Sequence, residues 1–395
     1  MTRDADAPTK LSPVPAAPDG AGGRLAVRVL TSMEALEAAG PAWQALEARA
    51  APSTLFQSHA QTMIWARNYL VADDAALHIA MVYAGDTLHL ILPLCLTSSL
   101  GIRIARVTGY PIAQYSDAVS DGQLDDAACF AAILKSLHTA KVDELSLEGI
   151  REGSTLHRFA ISRSLAPASP RAAPFVDLTR FADHDSFVRE RSKGFGKKMR
   201  ARRRQLEQQG ELRFEILEGG KPARQAMADA VNLKREWLIQ RGAMSTAFID
   251  PVSNACLLDL AENAPGAVVI LMLLNGTTAA IRLGFEHRGT FFSYLSAYEE
   301  TLAQYSPGKL LMDFTLSSVR DRGTGTVDMF PPSSENKSVW CDRDVAVADY
   351  IMPLTVKGWV HAGLYRQKLR PLLRSAYYRL PNSLRSLVAR KVLSA

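Results

Sequence analysis

The chain has 395 residues, 47% of them hydrophobic and 22% charged, with a formal net charge of +6. That size and balance suit a globular protein of two domains, each with its own core. They argue against membrane-spanning helices, since no apolar run approaches the roughly 20 residues that cross a bilayer.

Residues 1–23 are rich in Pro, Ala and Gly, lack the apolar stretch of a secretory signal and predict a disordered tail. LAVRVL after Arg24 reads as a strand, and Ser32–Ala50 as a helix with Trp43 and Leu46 inward. LFQSHAQTMIWARNYL predicts a second helix. LHIAMVYAGDTLHLILPLCL predicts two strands joined at Ala84-Gly85-Asp86, and IRIARVTG a third. DDAACFAAILKSLHTA is helical with Asp125 or Asp126 as its cap, and VDELSLEGI is a strand. The Ser-, Pro-, Ala- and Arg-rich stretch to Pro174 reads as an interdomain connection.

The second half opens with FADHDSFVRERSKGFGKKMRARRRQLEQQG, helical on both sides of Gly194 and Gly196 and stopped by Gly210. A strand (ELRFEIL), a helix over Lys221–Arg241 burying Val231 and Trp237, and a further helix (PVSNACLLDLAENA) follow. VVILMLLNGTTAAIRLGFEH then repeats the earlier hairpin, with Asn275-Gly276 a strong turn signal. Setting Gly85 on Gly276 puts Thr87 on Thr278 and Leu90 on Ile281, which predicts two copies of one fold.

Charge is uneven. Arg189–Arg204 holds nine Lys and Arg against one Glu, and no acidic residue follows Asp349. Both blocks suit an anionic partner: a nucleotide, a phosphosugar or a membrane surface. Interleaved Leu, Tyr and Arg over 363–393 predict contact with an anionic bilayer surface. Cys95, Cys129, Cys256 and Cys341 lie far apart and predict buried free thiols in a reducing cytoplasm, with no metal site. The eight histidines show no paired ligand spacing, and neither a GxSxG elbow nor a GxxxxGK[ST] loop occurs.

The most informative stretch is Tyr305-Ser306-Pro307-Gly308-Lys309, between a strand and a helix of about four turns. A Gly-containing loop at a helix N-terminus suits a phosphate, because free N–H groups and the helix dipole both face it. Asp328, Glu286 and Glu299 are candidate general bases, none singled out by its context.

FGKKMRARRRQLEQQGELRFEI, LKREWLIQRGA, AAIRLGFEHRGTFFSYLSAY, YSPGKLLM and the closing ENKSVW together resemble the GNAT-like acyltransferases of the CelD type, relatives of the FemABX transferases. The resemblance covers Phe181–Trp340 well and the first half less specifically. It implies an α/β (α+β) fold of two tandem GNAT-like domains with mixed, mostly antiparallel sheets flanked by helices. These would be a degenerate domain over 24–170, an acyltransferase domain over 175–356 and a basic helical extension over 357–395. It further implies that strands near Thr290–Tyr298 and Thr326–Pro331 splay apart around a thioester donor, acyl-CoA foremost. Gln304–Lys309 would take the pyrophosphate, with Ser306 capping, Pro307 in the first turn, Gly308 allowing close approach and Lys309 adding charge.

Relatives carry Tyr-Lys-x-x-Trp after the last strand, and here Asn336-Lys337-Ser338-Val339-Trp340 keeps the Lys and Trp. A tyrosine that protonates the leaving thiolate would be Tyr298 or Tyr305, or solvent takes that role. Lys337 would stabilise a phosphate or the developing oxyanion. The resemblance thus implies acyl transfer to an amine or hydroxyl acceptor such as a cell-envelope saccharide or its lipid-linked precursor, and the basic C-terminal segment adds the expectation of a cytoplasmic protein at the inner face of the membrane. Its alternatives are FemABX-like transfer from aminoacyl-tRNA, the one reading with a nucleic-acid partner, and a non-catalytic scaffold in exopolysaccharide assembly.

Overall fold

Strand β1 (Leu25–Leu30) alternates half-buried and exposed positions and leads to Ser32, which caps helix α1 (Met33–Ala38). Pro41 starts a separate helix α2 (Gly40–Glu47), so the single helix expected over 32–50 is two. Helix α3 (His59–Ala72), strands β2 (Ala76–Ala84), β3 (Thr87–Ser99), β4 (Ile102–Val107) and β5 (Val119–Ser120), and helix α4 (Asp126–Thr139) follow. Strand β6 (Glu144–Arg151), helix α5 (Thr155–Ser162) and strand β7 (Ala168–Asp177) complete the first half. This is a computed structural model, and it describes residues 25–385 apart from 51, 73–74 and 382–383. The expected tail at 1–23 and the basic residues Arg390 and Lys391 lie outside the described residues.

The second half repeats the order. Helices α6 (His184–Glu190) and α7 (Phe195–Glu207) precede strand β8 (Leu212–Leu217), helices α8 (Gly220–Gln240), α9 (Thr246–Ile249) and α10 (Pro251–Asn263), then strands β9 (Ala267–Leu274), β10 (Thr277–His287) and β11 (Thr290–Tyr298). Helix α11 (Pro307–Asp321), strand β12 (Thr326–Asp328), the single turn α12 (Glu335–Ser338) and strand β13 (Arg343–Pro353) come next. Helix α13 (Val356–Val360), a π-helical stretch over His361–Leu369 and helix α14 (Arg370–Arg379) end the described chain.

One mixed sheet joins both halves, in the order β1-β2-β3-β4-β6-β13-β7-β12-β11-β10-β9-β8, with β5 beside β3. The order is a palindrome: read from either edge, each lobe contributes five strands in the same sequence. The inner pair is exchanged, since β7 follows β6 in the chain yet pairs with β12, while β13 follows β12 and pairs with β6. The stretch expected to connect two domains is therefore a central strand.

The two hairpins share more than a pattern. Val82 faces Leu90 and Tyr83 faces Leu88 in one; Met272 faces Ala280 and Leu273 faces Thr278 in the other. Each bulges out one residue, His89 or Ala279, at the same place. Thr87 thus corresponds to Thr277, one residue before the Thr278 expected from matching the glycines, because the turns are Gly85-Asp86 and Asn275-Gly276.

One core runs under both lobes on the face of α1–α3, α8 and α10, with Trp43, Trp65, Phe285 and Phe330 buried in it. On the other face α4 and α5 cover the first lobe, and α7 and α11 the second. Helices α3 and α10 meet between the lobes, where Tyr69 Oη lies 2.7 Å from Ser253 Oγ. Cys95, Cys129 and Cys256 are buried free thiols and Cys341 is half-buried.

Candidate active site

Strands β11 and β12 pair in parallel only at Thr290–Phe292 against Thr326–Asp328. Beyond them β11 runs on to Tyr298, whereas Phe330 takes a left-handed φ of 56° and the chain turns off the sheet. The gap is a cavity of about 640 Å³. Its walls are Arg282, Ser293–Ser296 and Tyr298 of the sheet, Ser306–Lys309, Met329–Pro331, then Ser334, Asn336, Lys337 and Trp340, and Lys234 with Ser245, Ala247 and Phe248 from the α8–α10 side. Gln114 reaches it from the first lobe. Sheet edge and helix start thus meet in one cleft.

The N-terminus of α11 is open. Ser306 adopts φ 56° and makes no side-chain cap, contrary to the capping role expected for it, while Pro307 stands in the first turn as anticipated. A Cβ placed on Gly308 would meet nothing nearer than the Tyr298 ring at 3.6 Å, so the backbone here faces space. An uncapped helix start with Lys309 beside it favours an anion.

The wall is cationic. Lys234, Arg282, Lys309 and Lys337 line it, and among the described residues no Asp or Glu does. The Lys337 ammonium donates to the carbonyls of Phe330 at 2.8 Å and Pro332 at 3.0 Å. Burial, reinforced by the Arg282 guanidinium, pushes it down to about 8. Arg282 is 6% exposed and donates to Ser293 Oγ; burial pushes it down to about 10, still charged at neutral pH. Lys234 Nζ donates to the Ser296 carbonyl at 3.3 Å and lies 4.7 Å from the Trp237 ring centre.

The expected residues separate on this geometry. Ser306, Pro307, Gly308, Lys309, Tyr298 and Lys337 line one cavity, while Tyr305 packs half-buried against the second-lobe core. The three carboxylates proposed as bases do not line it. Asp328 is 1% exposed behind the wall, where it accepts from Tyr115 Oη at 2.8 Å and the Phe330 N–H at 2.9 Å, with Arg151 at 3.6 Å. Burial raises its pKa. Glu286 is held by Arg322 at 2.8 Å, and Glu299 caps the 3₁₀ turn over Glu300–Tyr305. Arg282 and Lys234 were not foreseen. Arg282 sits mid-strand in AAIRLGF, where alternation predicts an outward, solvated side chain.

The Lys337 segment is braced from the basic run. Arg191 donates to the Trp340 carbonyl and to Asp342 Oδ1, both at 2.9 Å, and the Phe195 ring meets Trp340 edge-on at 4.8 Å. Further along α7, Met199 and Leu206 are buried, and most of the basic side chains project outward.

The corresponding gap in the first lobe is closed. Strands β4 and β6 also pair for only three residues, yet the loop before β5 fills the space. A Cβ on Gly149, at φ 68°, would lie 2.6 Å from the Gln114 carbonyl. Helix α4, the counterpart of α11, is capped by Asp125 and followed by Asp126, which repel an anion. The open cleft therefore lies in the second lobe.

The fold is that of tandem GNAT proteins. Residues 193–338 match the acetyltransferase (GNAT) domain family, so the second lobe carries an acyltransferase domain of that kind. Among solved structures it resembles FemX, at 10% identity over 77% of this chain and 93% of that one, with a TM-score of 0.53. A conserved protein of unknown function from Bacteroides thetaiotaomicron VPI-5482 is 11% identical over 83% of this chain and 100% of that one, with a TM-score of 0.52. A tandem GNAT protein from the clavulanic acid biosynthesis pathway is 14% identical over 84% and 98%, with a TM-score of 0.50. At these identities the likeness is one of fold. No curated protein sequence matches the chain.

Proposed function

We propose that the second lobe transfers an acyl group from acyl-CoA to an amine or hydroxyl acceptor. The observation that carries this reading is the gap between β11 and β12 with the uncapped start of α11 opening onto it. The pyrophosphate lies against Gly308 and Lys309, and the pantetheine arm runs along the edge that β11 presents past Phe292. The acyl carbonyl then stands at the throat of the gap, and the acceptor enters from the α8–α10 side. On attack the carbonyl oxygen becomes an oxyanion facing Lys337, where a fixed charge out of water is worth several kcal/mol. As the tetrahedral intermediate collapses, the C–S bond breaks and Lys337 donates a proton to the thiolate. Its pKa of about 8 is close to a thiol's ordinary value of about 8.5. No carboxylate lines the described wall, so the acceptor's proton leaves to water.

Single turnover with labelled acetyl-CoA and a panel of amines and saccharide hydroxyls tests this. The expected result is label on one acceptor class, transferred about a hundredfold more slowly by Lys337→Met. Label that stays on CoA with every acceptor and every acyl length would overturn it.

A further inference from the structure

We propose that the substrate portion at the throat of this cleft carries an oxyanion, a carboxylate or a phosphate, held by Arg282 and Lys234. The proposal rests on the cleft being the acyl-transfer site. Elsewhere the protein answers its buried charges: Glu144 with Arg366 at 3.0 Å, Asp342 with Arg191 at 2.9 Å, Asp349 with Arg171. Arg282 is not answered in this way. Among the described residues it has no carboxylate partner, and its Nε has no acceptor. A guanidinium withdrawn from water without a counter-charge is costly, and a bound anion removes that cost.

Position separates this anion from the donor's phosphates. Arg282 faces Ser296 across the ladder and donates to Ser293, and Lys234 reaches the Ser296 carbonyl. Both converge on β11 just past the point where β12 departs. The α11 loop lies beyond the other end of β11, at Tyr298, five residues or about 16 Å along the strand from Ser293 and two residues, about 7 Å, from Ser296. A planar guanidinium beside two strand serines suits two oxygens of one group. Either the acyl chain or the acceptor supplies them.

Calorimetric titration of the wild type, Arg282→Met, Arg282→Lys and Lys234→Met with succinate, inorganic phosphate and CoA tests the assignment. Succinate or phosphate is expected to bind the wild type and to weaken about tenfold or more in Arg282→Met and Lys234→Met, with Arg282→Lys between. CoA affinity stays within about twofold. Arg282→Met is expected to melt higher than the wild type without ligand, because it removes an uncompensated charge; a structural arginine would do the opposite. No anion binding at about 10 mM, or unchanged affinity in Arg282→Met, overturns the proposal. So does a loss of CoA binding equal to the loss of anion binding. Anion binding through Arg282 in a protein indifferent to CoA keeps the subsite and removes the donor reading. With activity established, a preference for succinyl- over acetyl-CoA that Arg282→Met abolishes puts the anion on the acyl chain; an unchanged preference puts it on the acceptor.

A separate observation carries a second proposal: we infer that the C-terminal extension docks on an anionic lipid surface. Most exposed large apolar side chains among the described residues lie between Val356 and Leu384, with Val356 81%, Trp359 70%, Leu372 65% and Leu364 60% exposed. One side of the extension is anchored. His361 Nδ1 lies 2.7 Å from Glu144, Arg366 binds Glu144 and Glu148, and Tyr377 Oη donates to the Gly242 carbonyl at 3.1 Å. The other side shows apolar groups to water in a stretch with seven Lys and Arg over 356–385 and no acid. Apolar groups interleaved with basic residues complement a bilayer bearing anionic headgroups. No helix among the described residues is long and apolar enough to cross a membrane, so contact is with one face.

Co-sedimentation with vesicles of phosphatidylcholine, with and without phosphatidylglycerol, decides. Binding to the anionic vesicles alone, weakening with salt and lost in Trp359→Glu/Leu372→Glu of unchanged melting temperature, is expected. Indifference to both vesicles overturns the inference, as does concentration-dependent self-association that the double variant abolishes.

Discussion

Three lysines and an arginine in one cleft divide the work by position. Lys337 stands where the sequence signals it, in a Lys-x-x-Trp segment, and its neighbours set its proton affinity: burial and Arg282 lower it to about 8. Below that pH it is an ammonium able to donate; above it the proton is gone. The transfer rate is therefore expected to fall about tenfold per pH unit above 8, and Lys337→Met to lose about a hundredfold at neutral pH and to flatten the profile. A rate that climbs through pH 8 would instead make the amine a base. Asp328 illustrates the converse. It is one of three candidate bases in the sequence, but the side chain ties Tyr115 of the first lobe to the end of β12. Asp328→Ala leaves Arg151 and Tyr115 without their partner, and denaturant unfolding should show a loss of about 3 kcal/mol. Arg282 could not be found from sequence, because alternation in a strand says which face a residue takes, not whether that face meets water or a cleft.

Most elements were legible where periodicity was strong. The hairpins, α4, α8 and α10, and the strand–loop–helix run from β11 to α11 follow their apolar patterns. Strand β7 was not, because Ser, Pro, Ala and Arg have weak strand preferences, and its place comes from the ladders on either side. The same holds for β13, which closes both lobes at once. Their exchange makes a firm prediction: unfolding is a single transition. Ala346→Pro, opposite Ala172 at the centre of the sheet, is expected to cost about 3 kcal/mol or more and to lower the melting of both lobes together. Two separated calorimetric transitions in the wild type would contradict this.

Duplication, at the scale of the whole molecule, has left one lobe open and one shut. The same three-residue parallel pairing ends in a loop packed on Gly149 in the first lobe and in a cationic cleft in the second. The first lobe is not idle, since Gln114 reaches the cavity wall and Ile112 accepts from Tyr294 Oη at 2.6 Å. The palindromic sheet was only half visible beforehand: repeated hairpins implied two copies, but how they join depends on long-range pairing that no local pattern encodes.

The central claim is that the donor lies between β11 and β12 with its pyrophosphate on α11. Calorimetric titration with CoA of the wild type and of Gly308→Trp measures this most directly. The indole would project from the helix start into the space beside Tyr298. The account predicts one site per chain in the wild type, with a Kd of about 1 mM or tighter, abolished in a variant of unchanged melting temperature. A wild type that gives no heat of binding at millimolar CoA, or a Gly308→Trp variant that binds CoA as well as the wild type, would contradict it.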